Sequence, residues 1–311
     1  MRVLLIKLTS MGDLMHALPA ITEASKHIPG IKFDWVVDKG FSEVPSWHPS
    51  VEKIITTDHR NWRKKFYTKS SATQISSLKD EINDGAYDVV VDMQNNLKSA
   101  FIAWLYQGQV HGMDRSSARE YPAHWAYSKA ITIPKNLHAI KRQKILLSES
   151  LGYPVDNDSL DYGISISNFI EPSIKLPDNF SVLVQNASWN SKLWPINKWR
   201  DLILDIENKG LSVFLPSGNN KELERARKIV QDTNATALDL LPLNEVAFLI
   251  SKARFCVCSD TGLAHLSAVV HTPSVTLYGP TDTKLIGTQG INQLHLSGDN
   301  KKMENIKTED V

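Results

Sequence analysis

Apolar residues in the first part of the chain alternate between short continuous runs and segments with helical spacing. Residues 3–6 form a continuous apolar run, and after a polar turn the apolar residues of 14–24 recur at every third or fourth position. Further strands are predicted at 33–37, 54–55 and 87–91, with helical patterns between the later ones. This order of strands and helices predicts an α/β fold with a mostly parallel sheet.

The second part of the chain repeats this alternation. Strands are predicted at 182–184, 213–215, 255–258 and 275–278, and helices at 196–207, 221–230, 245–250 and after Asp260. Between the two parts the pattern loosens and turn residues accumulate. We therefore predict two α/β domains, 1–165 and 181–311, joined by a linker at 166–180. A ligand is expected in the cleft between them, at the carboxyl ends of the strands.

Composition and charge narrow the class of protein. A chain of 311 residues with 42% apolar residues is long enough for two cores of ordinary size. A net charge of +1 argues against a nucleic-acid footprint over the whole surface, although it leaves room for a local basic patch. No apolar run is long enough for a signal peptide or a membrane span, so we expect a soluble or peripheral protein.

The two cysteines and one acidic pair are the candidate metal ligands in the sequence. Cys256 and Cys258 lie in an apolar run with no further Cys or His cluster, which favours core residues and a cytosolic compartment. Asp156 and Asp158 could hold a divalent ion, but they lie in the loosened segment, where a solvated turn is favoured. The sequence also lacks the glycine-rich loops that bind dinucleotides and phosphates. We expect no metal, and protein groups are expected to meet the charge of any phosphate.

The segment 259–268 predicts a strand that opens onto a helix. Asp260 and Thr261 are residue types that begin helices, and Gly262 lets a ligand approach the backbone. If the segment is helical, His265 lies one turn after Thr261. The pattern fits an anion site at a helix start, and it fits equally an ordinary capped helix.

Three further polar residues each have a catalytic and a structural interpretation. Asp13 follows the first strand, where it could act as a general base or begin a helix. Lys192 lies in a polar loop and is either a surface lysine or a cation that neutralises a leaving phosphate. Glu222 could bond a ribose hydroxyl or provide a favourable charge at a helix start.

A basic segment interleaved with aromatic residues follows the third predicted strand. Arg60, Arg63 and Lys64 flank Trp62 in this segment. The mixture suits an anionic membrane surface or an acidic, phosphorylated acceptor. A solvated basic helix explains it as well.

Several motifs, taken together and in order, resemble those of the lipopolysaccharide heptosyltransferases. They lie at 1–7, 10–13, 33–37, 111–114, 259–265 and 278–282, so the resemblance covers nearly the whole chain. It implies the GT-B fold, with two Rossmann-like domains facing across a cleft, the first for the acceptor and the second for the nucleotide sugar. It also implies inverting transfer of L-glycero-D-manno-heptose from ADP-heptose to Kdo-lipid A, without a required cofactor or a strict need for metal.

The same resemblance implies roles for individual residues. Asp13 is the general base, and Lys192 acts in catalysis and in donor binding. The other donor-binding residues are Ser188, Glu222, Asp260, Thr261, Gly262 and His265. The acceptor-binding residues are Arg60, Arg63, Lys64 and Arg119.

The resemblance further implies a monomer on the cytoplasmic face of an inner membrane, with no nucleic-acid partner and with an incomplete C-terminal helix. A related enzyme that acts on a later core acceptor fits the same motifs. A sugar-nucleotide epimerase or an inactive nucleotide-sugar-binding protein of the same architecture also remains possible from the sequence.

Overall fold

The structure is a computed structural model that describes residues 1–65 and 68–311, without the side chains of Arg60, Arg63 and Lys65. The chain divides into two compact units, Met1–Ser165 and Ile166–Val311. The segment predicted as a linker, 166–180, lies within the second unit. There the Ile170 amide donates to the Asn244 carbonyl at 3.3 Å.

A parallel sheet forms the centre of the first unit. Its strands in the described ranges are β1 (Arg2–Ile6), β2 (Lys32–Asp38), β3 (Val51–Thr57), β4 (Val89–Asp92), β5 (Val110–Met113) and β6 (Lys129–Ile131). They lie in the order β3-β2-β1-β4-β5-β6. β1 pairs with β2 and β4, and its apolar residues are fully buried. A strand covered on both faces requires such a continuous apolar run.

Helices connect the strands of the first unit. In the described ranges they are α1 (Met11–Met15), α2 (Leu18–His27), α3 (His59–Lys65), α4 (Lys69–Asp84), α5 (Leu97–Leu105) and α6 (Ala139–Leu151). The single helix predicted at 14–24 is thus two helices. The break falls just before Pro19, which lacks the N–H that a continuous helix would need and instead occupies the first turn of α2.

The second unit repeats the topology of the first. Its strands are β7 (Phe180–Val184), β8 (Ser212–Leu215), β9 (Thr236–Ala237), β10 (Cys256–Ser259), β11 (Ser274–Tyr278) and β12 (Gln293–Ser297), in the order β12-β11-β10-β7-β8-β9. Its helices are α7 (Ile196–Asn208), α8 (Asn220–Ile229), α9 (Leu243–Lys252), α10 (Gly262–Val269) and α11 (Thr283–Ile286). If the strands of each unit are numbered from one to six along the chain, both sheets have the order 3-2-1-4-5-6.

The core of the second unit includes both cysteines and the C-terminal segment. Cys256 and Cys258 are fully buried in β10, which confirms their prediction as core residues. Residues 303–311 form short 3-10 turns. Met303 and Ile306 are buried in the core beside α7, and the Trp194 indole donates to the Ile306 carbonyl at 3.1 Å. The end of the chain therefore packs on the second unit.

His48 is a buried histidine in the first unit whose hydrogen bonds fix it in the neutral form. Its Nδ1 accepts the Ser50 amide at 3.1 Å, and its Nε2 lies 3.0 Å from the Thr22 hydroxyl. The Thr22 hydroxyl donates to the Leu18 carbonyl, so it accepts from Nε2. Burial lowers the pKa of His48 to about 4, against a weaker opposing effect of Asp161.

We therefore expect acid to destabilise the first unit through His48. Below the unfolded pKa of about 6.5 the unfolded chain binds a proton that folded His48 does not bind. Stability attributable to His48 is full above pH 6.5 and falls by up to about 1.4 kcal/mol per pH unit toward pH 4. Urea unfolding of the wild type and His48→Asn at neutral and acid pH measures this, because Asn retains an acceptor without titrating. Equal pH slopes in the two proteins would contradict the assignment.

Candidate active site

Both sheets have a topological switch point at their centre. At such a point the connections that follow two neighbouring strands run toward opposite edges of the sheet. Their divergence opens a crevice at the carboxyl ends of these strands. The neighbours are β1 and β4 in the first sheet and β7 and β10 in the second. Asp13 follows β1, Lys192 lies in the loop after β7, and Asp260 directly follows β10. Three sequence-predicted residues thus lie in the segments that follow the switch-point strands.

Asp13 lies in α1 with a partly accessible carboxylate. Its Oδ2 accepts the Ser10 amide at 3.0 Å, which is the bond expected of a residue that caps a helix start. The side chain is nevertheless 30% exposed, and Arg119 Nη1 lies 3.5 Å from the same oxygen. The structure therefore brings a predicted base together with a predicted acceptor-binding arginine. The capping bond occupies one lone pair and leaves the carboxylate reachable.

A buried lysine lies behind this carboxylate. Lys7 directly follows β1, and its ammonium donates to the Met93 carbonyl, which directly follows β4, at 2.8 Å. Burial lowers the pKa of Lys7 to about 8, while the negative charges of Asp13 and Asp92 act in the opposite direction. Sequence reasoning assigned Lys7 no role, although the end of a buried apolar run is an unusual position for a lysine.

Asn95 holds the loop that carries Arg119. It follows β4 with a φ of +55°, in the left-handed region that Asn tolerates. Its side-chain amide donates to the Asp92 carbonyl at 2.8 Å and accepts the Met113 amide at 2.6 Å. Its own carbonyl accepts the Arg119 amide at 3.0 Å. Sequence reasoning assigned Asn95 no function, because two of these partners, Met113 and Arg119, lie outside its local segment.

A pocket of about 610 Å³ lies beside the Asp13 site in the first unit. Its wall includes Ser10, whose amide binds Asp13, together with Lys64 and Lys98. The remaining lining residues are Leu8, Thr9, Asp38, His59, Trp62, Ile75 and Phe101. Lys64, a predicted acceptor-binding residue, is therefore placed where it can contact a ligand in this pocket. The side chains of the other two, Arg60 and Arg63, lie outside the described residues.

In the second unit, Lys192 and Asp260 form an ion pair. Lys192 Nζ lies 2.6 Å from Asp260 Oδ2, and both side chains are largely buried. The Thr281 hydroxyl donates to the same Asp260 oxygen. Lys192 ends a short 3-10 turn, Asn190–Lys192, in the loop after β7. The pair joins two loops that are far apart in sequence, and Thr281 is a partner that sequence reasoning did not assign.

The start of α10 lies next to this ion pair. Thr261 occupies the N-cap position with extended backbone, and Gly262 is the first helical residue. Asp260 precedes the cap, and its carboxylate is bound to Lys192. His265 is buried in α10, one turn beyond Thr261. The first backbone N–H groups of a helix have no carbonyl partner within the helix, so this end is a suitable place for an anion.

The two other predicted donor residues lie in the loop after β7 and at the start of α8. Ser188 is exposed in the loop after β7. Glu222 lies in the first turn of α8, where its carboxylate accepts the Gly218 amide at 2.8 Å and the Asn219 side-chain amide at 2.7 Å. These bonds are those of a helix cap, so Glu222 has the structural role that was one of its two predicted interpretations. The ribose interpretation stays a prediction.

Comparisons with known proteins define the class and then the family. The chain matches E. coli heptosyltransferase WaaC with ADP at a TM-score of 0.92 and 36% identity, covering 100% of this chain and 97% of that one. It matches WaaC with ADP-2-deoxy-2-fluoro heptose at a TM-score of 0.90 and 36% identity, covering 99% and 97%. The protein is therefore a glycosyltransferase with the GT-B fold, as predicted.

The family follows from the sequence itself. The model for glycosyltransferase family 9 (heptosyltransferase) matches residues 75–311. Lipopolysaccharide heptosyltransferase 1 of Salmonella typhimurium is 38% identical over 315 residues, which cover 100% of this chain and 98% of that protein. The chain belongs to glycosyltransferase family 9, the heptosyltransferases. The predicted enzyme class is confirmed.

Proposed function

We propose that this protein is an inverting glycosyltransferase that moves L-glycero-D-manno-heptose from ADP-heptose to a Kdo residue of Kdo-lipid A. The observation that carries the proposal is the Lys192–Asp260 pair at the switch point of the second sheet. Lys192 is a compact cation suited to a diphosphate, and Asp260 holds it in position. The similarity to WaaC, which was solved with ADP-2-deoxy-2-fluoro heptose, supports ADP-heptose as the donor.

The reaction is a single displacement at the anomeric carbon of the heptose. The acceptor hydroxyl oxygen forms a bond to this carbon while the bond from the carbon to the β-phosphate oxygen breaks. Asp13 takes the hydroxyl proton as general base. Lys192 stabilises the negative charge that develops on the departing ADP. One attack from the face opposite the leaving group inverts the configuration and needs no covalent intermediate with the enzyme.

The remaining donor contacts are assigned to loops of the second unit. We assign Ser188, Thr261 and Gly262 to the phosphates and sugar, with His265 close by, and Glu222 to the ribose. Each carboxylate oxygen can accept two hydrogen bonds. Glu222 can therefore accept a ribose hydroxyl without losing the bonds from Gly218 and Asn219.

The acceptor contacts are assigned to the first unit. Kdo-lipid A is anionic, and we assign its binding to Arg60, Arg63, Lys64 and Arg119. The pocket that Lys64 and Lys98 line offers room for a sugar next to the Ser10 amide that binds Asp13. Because the acceptor is a lipid, we propose that the enzyme acts at the cytoplasmic face of the inner membrane. As a separate proposal, the enzyme is a monomer. No helix in the described ranges is long and apolar enough to cross a membrane.

Release of ADP from ADP-heptose, measured with and without Kdo-lipid A, tests this function. We expect ADP to form only with the acceptor, in step with a product one heptose heavier by mass spectrometry. Conversion of the donor sugar without acceptor would instead indicate an epimerase, and donor binding without ADP release would indicate a binding protein. Transfer only to a later core acceptor would keep the enzyme class and overturn the proposed acceptor.

A further inference from the structure

Four large apolar side chains are exposed together on the first unit. Leu97 and Trp104 lie on α5 and are 48% and 57% exposed. Tyr121 and Trp125 lie on the 3-10 segment Tyr121–Ala126 and are 49% and 65% exposed. Single exposed apolar residues are ordinary on soluble proteins, but several of them on two elements that pack together indicate an interaction site. We call these four residues the aromatic surface.

The two elements that carry the aromatic surface pack against each other. Leu97 and Trp104 are seven residues apart, so they share one face of α5. The 3-10 segment packs against α5, and the Glu120 carboxylate that precedes it accepts the Leu97 amide at 2.8 Å. The rings of Tyr121 and Trp125 meet edge to face, with centroids 6.0 Å apart. Both elements are thus fixed to each other, and their apolar side chains remain in solvent.

Three cations lie on the stretches of chain that carry this surface. The Arg115 guanidinium lies 4.7 Å from the centroid of the Tyr121 ring, in cation–π geometry. Lys98 and Arg119 are exposed on the same two stretches of chain. Two carboxylates, Glu120 and Asp114, lie on the same stretches and accept the Leu97 and Ser117 amides at 2.8 and 2.9 Å, so the three cations outnumber them by one. Trp and Tyr rings interspersed with Lys and Arg are the composition of proteins at an anionic lipid–water interface.

We propose that the aromatic surface docks this protein on an anionic phospholipid bilayer. The choice of a bilayer over a protein partner rests on the proposed function, since a lipid-linked acceptor is presented at a membrane. The helix that carries half of this surface also borders the pocket assigned to the acceptor, because Lys98 and Phe101 of α5 line that pocket. Docking there brings lipid headgroups to the mouth of the acceptor pocket.

The test compares two double variants of the full chain on vesicles. Tyr121→Ser/Trp125→Ser removes both rings from the aromatic surface. Ile291→Ser/Leu294→Ser removes two similarly exposed apolar side chains from the second unit and is the matched control. In co-sedimentation with phosphatidylethanolamine–phosphatidylglycerol vesicles, we expect the first variant to bind roughly tenfold or more weakly than wild type and the control to bind normally. Unchanged binding by the first variant would overturn the proposal.

Activity with two forms of acceptor separates docking from acceptor recognition. Tyr121→Ser/Trp125→Ser should lose transfer to Kdo-lipid A embedded in vesicles and keep transfer to a deacylated, water-soluble acceptor. Equal loss with both acceptors and normal vesicle binding would make the rings acceptor contacts and would overturn docking. A concentration-dependent dimer that the variant disperses would identify a second copy as the occupant instead.

The docking test does not depend on the heptosyltransferase assignment or on the folding of the double variant. Vesicle binding needs neither donor nor acceptor, so a failure of the heptosyltransferase assignment does not alter its result. If the double variant does not fold, wild-type tryptophan fluorescence in the presence of vesicles with brominated acyl chains replaces it. We expect quenching that Trp125→Phe reduces, and absence of quenching would overturn the proposal.

Discussion

Asp13→Asn is expected to lower the rate of heptose transfer by roughly 10²–10⁴-fold, the usual contribution of a positioned general base. Asn has nearly the same shape as Asp and can still accept the Ser10 amide, so the start of α1 should be retained. It cannot take the proton of the acceptor hydroxyl. The initial rate of ADP release under saturating donor and acceptor measures the effect.

Asp161→Asn is the matched control for this substitution. Asp161 is also a partly exposed carboxylate of the first unit, paired with Lys26 at 2.7 Å and accepting a backbone amide. We expect this variant to have wild-type activity. Calorimetric binding of ADP-heptose should be unchanged in both variants, because donor contacts are assigned to the second unit. Turnover of Asp13→Asn within a few-fold of wild type would remove Asp13 from the mechanism and leave it as a helix cap.

Lys192→Ala is expected to weaken ADP-heptose binding by roughly 10- to 100-fold and to lower turnover as well, since a hydrogen bond to a charged group contributes about 1.5–3 kcal/mol. The cation would be missing both in the bound donor and when charge develops on ADP. Donor titration calorimetry and steady-state kinetics measure the two effects. A change confined to acceptor affinity would show that Lys192 belongs to acceptor binding.

The same substitution also affects stability, and a second change separates the two effects. Lys192→Ala leaves the buried Asp260 carboxylate without its cation, which should cost about 1–3 kcal/mol in the free energy of unfolding. Lys192→Ala/Asp260→Asn removes the uncompensated charge, so it should recover much of that stability. It should not recover donor binding. Parallel recovery of both would mean that Lys192 acts only through the fold.

Apart from the edge strand β3, the strands that the sequence pattern predicts are inner ones, and the strands it leaves out (β5, β6, β9 and β12) lie toward the sheet edges. β1 and β10 are covered on both faces and therefore have continuous apolar sequences. β12 is half exposed and β9 has only two residues, so neither leaves an apolar signature. They are strands because they form backbone hydrogen bonds with β11 and β8, which are separate segments of the chain.

Sequence motifs identified the candidate site residues but not how those residues pair. Lys192 and Asp260 were separate predictions, and their ion pair exists because β7 and β10 are neighbours in the sheet. Asp13 and Arg119 meet for a similar reason, since β1 and β4 are neighbours and Asn95 holds the Arg119 loop. Lys7 and Thr281 lie within the motifs at 1–7 and 278–282 but were assigned no role, because their roles depend on burial and on partners in other segments.

The sequence by itself determined the α/β class, the two central strands with their following polar loops, and membership of the heptosyltransferase family. Apolar periodicity and local motifs carry this information, because each depends on residues that are close in the chain. Only the tertiary structure decided which loops converge, which charges are buried and which apolar side chains stay exposed. These depend on strand order and on packing between distant segments, and neither is encoded in any one stretch of sequence.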